Sequence, residues 1–132
     1  MNSIIELSIA IPVYNGEKQL KKQFERIFKE CNKTKFKFEI VISDNASEDN
    51  TRVVVKYYTK KFLKNKNITV SYFRRAKNIG FRKNFIGQIK FTRGKYILFL
   101  NDDDIPEKGF YKHLFEQIHK KNLNRMRIFP IK

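Results

Sequence analysis

Apolar residues in this chain keep two rhythms, one suited to strands and one to helices, and the two alternate from end to end. Leu7-Ser-Ile-Ala-Ile-Pro12 alternates and stops at a proline, which predicts a strand followed by a turn over Val13 to Gly16. From Glu17 to Cys31 the positions Leu20, Phe24, Ile27, Phe28 and Cys31 form one stripe of a helix. Phe38 to Ser43 predicts a second strand, and Ser43 to Thr51 then carries no large apolar side chain. Ser47 is placed to cap a second helix, with Glu48 and Asp49 against the positive end of its dipole. That helix is expected to reach about Leu63, with Val54, Tyr58 and Phe62 on one side. Ile68, Val70 and Tyr72 alternate with polar residues, as in a strand near a sheet edge. After the basic loop Arg74 to Gly80, a short helix over roughly Arg82 to Phe91 is expected to turn Phe85, Ile86 and Ile89 inward and to end at Arg93-Gly94. Tyr96 to Leu100 is uncharged throughout and predicts a strand buried on both faces. Phe110, Leu114 and Ile118, with Tyr111 and Phe115, predict a last helix to about Lys121, and Met126 to Lys132 has the composition to begin another strand.

Strand–helix alternation of this kind predicts one α/β domain over residues 1–132, built on a mostly parallel sheet with helices on both faces. The turns after the first, second and fourth strands (Pro12 to Gly16, Asp44 to Asn50, Asn101 to Asp104) then lie at one edge of that sheet, where open α/β sheets place their ligands.

Composition narrows the class. With 41% hydrophobic residues, 13 Phe and 6 Tyr, the chain can build a core and is not expected to be disordered. No apolar run is long enough to span a bilayer, and Met-Asn-Ser-Ile-Ile-Glu lacks the basic start and apolar core of a signal peptide. The single cysteine, Cys31, excludes an internal disulfide framework and falls on a helix stripe, where packing is its expected role. A net charge of +16 permits attraction to nucleic acid, anionic lipid or phosphorylated ligands. The lysines are scattered in sequence, which reads as a solvated surface and not as one focused patch.

The chemistry concentrates at Asn101-Asp-Asp-Asp104. Adjacent carboxylates repel one another and are costly in a crevice unless paired, and a hard divalent cation, Mn²⁺ or Mg²⁺, is the natural partner. The competing reading is a helix start, with Asp104 as cap, Pro106 in the first turn and Glu107 three residues on; it leaves Asp102 and Asp103 unexplained. Asp44 is suited to accept hydrogen bonds from a nucleobase or ribose, or else to close an Asx-turn. No Gly-rich phosphate loop of the P-loop kind is present.

Ile9-Ala-Ile-Pro-Val-Tyr-Asn15, Val41-Ile-Ser-Asp-Asn-Ala-Ser-Glu-Asp-Asn-Thr51, Asn78-Ile-Gly80 and Gly94-Lys-Tyr-Ile-Leu-Phe-Leu-Asn-Asp-Asp-Asp104 together resemble the family 2 glycosyltransferases of Rossmann-like GT-A fold, especially the bacterial branch that decorates cell-surface polysaccharides. The resemblance implies a nucleotide-sugar donor held by Pro12, Val13, Tyr14 and Asn15, with Asp44 on the base, Asn78 and Gly80 beside the nucleotide, and Asp102 near the ribose. It implies a divalent cation, Mn²⁺ or Mg²⁺, on Asp103 and Asp104, the acidic motif of the family, although many relatives carry aspartate at the position of Asn101. It also implies inverting transfer to a saccharide or lipid-linked acceptor, with a carboxylate base in an acceptor-side half expected beyond the C-terminus of this chain. A cytoplasmic location follows from the resemblance, with peripheral contact between basic helices and an anionic membrane. The alternative is a non-catalytic nucleotide- or nucleic-acid-binding module driven by the basic surface, with nucleic acid the less favoured partner.

Overall fold

A computed structural model describes residues 4–121, 127 and 128. In chain order the elements are β1 (Leu7–Val13), α1 (Glu17–Cys31), β2 (Phe38–Asp44), α2 (Thr51–Phe62), β3 (Ile68–Arg74), α3 (Phe81–Gly87) continued by a 3₁₀ turn (Gln88–Phe91), β4 (Tyr96–Phe99), α4 (Phe110–Lys121) and β5 (Arg127–Ile128). The sheet runs β3-β2-β1-β4-β5 with every neighbouring pair parallel, and β3 is an edge strand as its alternation predicts. The expected last strand corresponds to β5 at Arg127–Ile128, and the other residues from Met126 to Lys132 lie outside the described residues.

The two faces of the sheet differ in chemistry. Leu7, Ile9 and Ile11 of β1 and Phe38, Ile40 and Ile42 of β2 point to one side, where Leu20, Phe24 and Ile27 of α1, Phe62 of α2 and Tyr111 and Leu114 of α4 complete a continuous apolar core. Each large side chain fully buried there contributes roughly 1.5–3 kcal/mol over its exposed state. The other side carries Ser8, Glu39 and Ser43, all fully buried. Such a face needs polar partners, because a buried polar group without a hydrogen bond is costly. Asn84 of α3 supplies one: its Oδ1 accepts from Ser43 Oγ (2.8 Å) and Arg75 Nε (3.0 Å), and its Nδ2 donates to the Ser43 carbonyl (2.8 Å). Glu39 is met by Ser8 Oγ (2.6 Å), by the Arg93 amide (2.6 Å) and by the Arg93 guanidinium (3.0 Å).

This polar face corrects the expected orientation of the short helix. Asn84 and Gln88 are its buried residues, whereas Ile86 and Ile89 are 54% and 41% exposed. Asn84→Leu is therefore expected to lower stability by about 2 kcal/mol in urea denaturation despite its greater hydrophobicity, since it strands Ser43 and Arg75.

The expected cap at Ser47 is corrected, and the competing reading of Asp104 as a cap falls with it. Ser47 does not cap α2, which starts at Thr51; its hydroxyl is drawn to the Asp44 carboxylate and the Asn15 amide instead. Asp104 does not start a helix, because α4 begins at Phe110 and residues 101–109 form a loop. Val55, not Val54, is the fully packed valine of α2.

Candidate donor-binding site

Because β1, β2 and β4 run in the same direction, the turns that follow them meet at one edge of the sheet. The first two turns are knitted together by hydrogen bonds. The Asn15 amide donates to Ser47 Oγ (2.8 Å), the Glu48 amide to Asn15 Oδ1 (2.7 Å), the Gly16 amide to Thr51 Oγ1 (3.2 Å) and the Glu17 amide to Asp49 Oδ2 (3.1 Å). The second turn is joined to the loop before α3 by Asn45, whose Nδ2 donates to Asn78 Oδ1 (2.9 Å) and whose Oδ1 accepts from the Ile79 amide (2.8 Å). Asn78 Oδ1 accepts in turn from the Gly80 amide (2.8 Å).

These contacts frame a cleft of about 300 Å³ lined by Pro12, Val13, Tyr14, Asn45, Asn78, Gly80, Phe81, Asn84 and Asp102. Six of the residues expected from the sequence therefore share one wall system: Pro12, Val13, Tyr14, Asn78, Gly80 and Asp102. Tyr14 and Phe81 are 44% and 62% exposed, two aromatic surfaces at the cleft, with the Phe81 ring stacked on Phe85.

The remaining expected residues are placed differently. Asn15 sits in the left-handed region (φ 49°) and spends its side chain on the Glu48 amide. Asp44 is fully buried. Its Oδ1 accepts from the Ser47 amide (2.9 Å) and Ser47 Oγ (2.6 Å), and its Oδ2 from the Tyr72 hydroxyl. Burial and this bond to Asp44 push the Tyr72 phenol upward, so it stays a donor. Asp103 is exposed and Asp104 is half-buried, its Oδ2 accepting from Asn101 Nδ2 (3.0 Å); neither lines the cleft.

Asp102 is half-buried at the cleft wall, packed so close to Gly16 that a Cβ there would lie 2.1 Å from its Oδ2. Burial, and after it the charge of Asp103, raise the Asp102 carboxyl to about 6. Among the described residues none of Asp102, Asp103 and Asp104 is in an ion pair, a situation that a cation would relieve. Among the described residues no three His, Cys, Asp or Glu side chains converge into a ready-made cage. The donor set fits a hard cation held by one or two carboxylates and completed by phosphate oxygens, the way Mg²⁺ is commonly bound.

The acidic turn is braced from behind by α1. Gln23, fully buried, donates Nε2 to the carbonyls of Asn101 (3.0 Å) and Asp104 (2.9 Å), and Arg26 Nη1 donates to the Pro106 carbonyl (2.6 Å). Gln23→Leu keeps the volume and removes both donors. It should lower stability by about 2 kcal/mol in chemical denaturation and speed amide exchange across 101–104 more than in β1.

Asn45, Phe81, Asn84 and Gln23 are the residues that sequence reasoning missed. Asn84 and Gln88 share a helical face at i, i+4, a spacing visible in the sequence, but a search for apolar stripes passes over it.

Comparison with known proteins bears on the family and the fold. The model of glycosyl transferase family 2 matches residues 8–126. The abequosyltransferase RfbV of Salmonella typhimurium is 31% identical over 77% of this chain and 29% of its own length. The poly(ribitol-phosphate) β-N-acetylglucosaminyltransferase TarS of Staphylococcus aureus is 28% identical over 83% of the chain and 18% of its own length. A crystal structure of TarS superposes with a TM-score of 0.73, covering 89% of this chain and 20% of that one. The mannosyltransferase PcManGT from Pyrobaculum calidifontis, solved with GDP-Man and Mn²⁺, superposes at 0.69 over 89% of this chain and 33% of that one; at 13% identity it speaks for the fold alone. The chain spans about a third or less of the length of these relatives. With the family model covering most of the chain, the parallel sheet in place and the expected motifs meeting at its edge, the protein belongs to glycosyl transferase family 2.

Proposed function

We propose that this chain is the donor-binding portion of an inverting, metal-dependent glycosyltransferase. It takes a sugar from a nucleoside-diphosphate donor toward a saccharide or lipid-linked acceptor in bacterial-type surface polysaccharide synthesis. One observation carries the reading: Pro12 to Tyr14, Asn78, Gly80 and Asp102, remote in sequence, line a single cleft at the ligand-bearing edge of a parallel sheet.

Roles follow from placement. The Tyr14 ring and the Pro12-Val13 backbone form the wall for the base. Asn45 and Asn78 hold the loop that closes the opposite side. Asp44 is fully buried and already accepts from the Ser47 amide, Ser47 Oγ and the Tyr72 hydroxyl, so a base N–H reaches its carboxylate when the Ser47 or Tyr72 hydroxyl swings away. Asp102 accepts from ribose hydroxyls. Asp103, and Asp104 oriented by Asn101, would hold a divalent cation. When bound, it would supply Lewis-acid stabilisation of the diphosphate as the leaving group. An acceptor hydroxyl then attacks the anomeric carbon from the opposite side while a base removes its proton, which gives inversion. Asp102 is the one carboxylate in the cleft wall among the described residues, and the base is not assigned to it.

Calorimetric titration with a panel of nucleoside diphosphates and their sugars, in Mn²⁺ and in EDTA, tests this. At least one should bind about tenfold or more tightly with the cation. Binding that ignores the cation and falls log-linearly with salt would instead favour a basic binding module.

A further inference from the structure

The Asp44 carboxylate lies directly behind the cleft wall. Val13, its partner in the β1–β2 register, and Asn45, its neighbour in the chain, both line the cleft, while Asp44 itself is fully buried. Its backbone is pinned on both sides. The Asn45 amide donates to the Val13 carbonyl (2.8 Å), and the Arg75 amide donates to the Asp44 carbonyl (2.8 Å). The carboxylate is therefore held in place, and a donor entering from the cleft must come to one of its two oxygens.

Those oxygens are held unequally. Oδ1 accepts from both the amide and the hydroxyl of Ser47. Ser47 is 6% exposed and is fastened twice more, its Oγ accepting from the Asn15 amide (2.8 Å) and its carbonyl from Arg74 Nη2 (2.9 Å). Moving Ser47 would loosen the joint between the first two turns. Oδ2 accepts from the Tyr72 hydroxyl, which has no other hydrogen-bond partner among the described residues. Tyr72 is half-buried on β3, an edge strand, with β2 on its inner side and no strand on its outer side among the described residues. Burial, and after it the bond to Asp44, keep the phenol protonated, so this bond opens by movement and not by loss of the proton. Tyr72 is the part of the assembly that can give way.

We infer, on the reading that Asp44 accepts from the base, that Tyr72 is a latch on that carboxylate: its hydroxyl closes Oδ2, and an N–H of the donor's base takes the oxygen by displacing it. Tyr72 is then a positioning residue, acting on the base through Asp44. Between binding events it keeps a buried charge hydrogen-bonded, which would otherwise be costly. A latch and a purely structural pair predict effects of opposite sign. Where a closed latch must open first, apparent affinity falls by the fraction of molecules that are open, so removing the hydroxyl tightens binding. A pair that only supports the fold leaves binding unchanged or weaker when it is cut.

Calorimetry with UDP, GDP, CDP and ADP in Mg²⁺ selects the tightest of the four. An analogue of that nucleotide, fully methylated at the donor nitrogen of its pairing edge, serves as the control. Tyr72→Phe keeps the ring packed against the core and removes only the hydroxyl. It should bind the selected nucleotide about tenfold or more tightly than the unsubstituted chain does, the scale of one hydrogen bond to a charged group. The analogue has no proton to donate, so it should bind both proteins more weakly and gain nothing from the substitution. Ser47→Ala, which loosens Asn15, should bind no more tightly than the unsubstituted chain. Thermal melts confirm that both variants fold. In the unsubstituted chain the NMR signals of the Tyr72 ring should shift as the nucleotide saturates it, a test that needs no substitution. Equal or weaker binding by Tyr72→Phe, an equal gain by Ser47→Ala, or unmoved Tyr72 ring signals would each overturn the latch while leaving Asp44 as the acceptor. An analogue that binds the unsubstituted chain as tightly as the nucleotide itself would remove Asp44 from base recognition, and the latch with it; so would binding of none of the four.

Discussion

Gly94→Ala is expected to unfold about 10 °C below the parent chain, or to fail to accumulate in soluble form. A Cβ at this position would lie 2.6 Å from the backbone nitrogen of Ser8 and 2.7 Å from the carbonyl carbon of Leu7, both in β1, the strand at the centre of the sheet. Backbone cannot step aside as a flexible side chain can, so β4 must move away from β1 or the chain must kink before Tyr96. Overpacking of this kind costs about 1–3 kcal/mol when side chains absorb it, and more when a strand pairing is disturbed. The same shift would stretch the bond from the Gly94 amide to Ser8 Oγ (2.8 Å), and with it the contact of Ser8 with the buried Glu39. Lys95→Ala, one residue on and exposed, should change stability by no more than about 0.5 kcal/mol. Thermal melts of the three proteins decide it, and a Gly94→Ala chain as stable as the parent would show that β4 is not held at this distance.

Asp103→Ala should leave the melting temperature within about 2 °C of the parent, because the residue is exposed at a turn. Its effect should appear in ligand binding. Affinity for the best nucleoside diphosphate in Mn²⁺ should fall at least about tenfold, the lower end of what disturbing a metal site usually costs, while the weak binding in EDTA stays as it was. Asp103 stands directly beside Asp102 and, after burial, its charge helps to raise the Asp102 carboxyl, so removing Asp103 also removes part of the local negative charge that a cation would meet. A variant that keeps the full Mn²⁺ enhancement would move the cation away from this turn.

Much of this architecture could be read from residue pattern. The bounds of α1 follow from one apolar stripe, β1 and β2 are legible from the apolar positions that alternate along one face, and β4 from a run that is apolar without interruption. The parallel order places the turns after β1, β2 and β4, and so Pro12 to Tyr14 and Asp102, at one edge, whereas Asn78 and Gly80 are legible only through the family resemblance. What escaped was polar. Asn84 and Gln88 face inward because the sheet offers Ser43 to that side, and an inward polar pair cannot be told from a solvated one by period alone. Ser47 has the chemistry of a cap and is taken by Asp44 and Asn15, partners that only the tertiary fold brings near.

The claim on which the functional account rests is that the cleft between the three turns receives the donor's nucleotide. Amide shift mapping by NMR with a nucleoside diphosphate and Mg²⁺ addresses it directly. The account predicts that the largest shifts fall on Val13, Tyr14, Asn45, Gly80 and Asp102, with Lys35, Lys95 and Phe115 unmoved. Shifts concentrated at the opposite edge of the sheet, around Phe36 and Lys95, with the cleft amides silent, would contradict it.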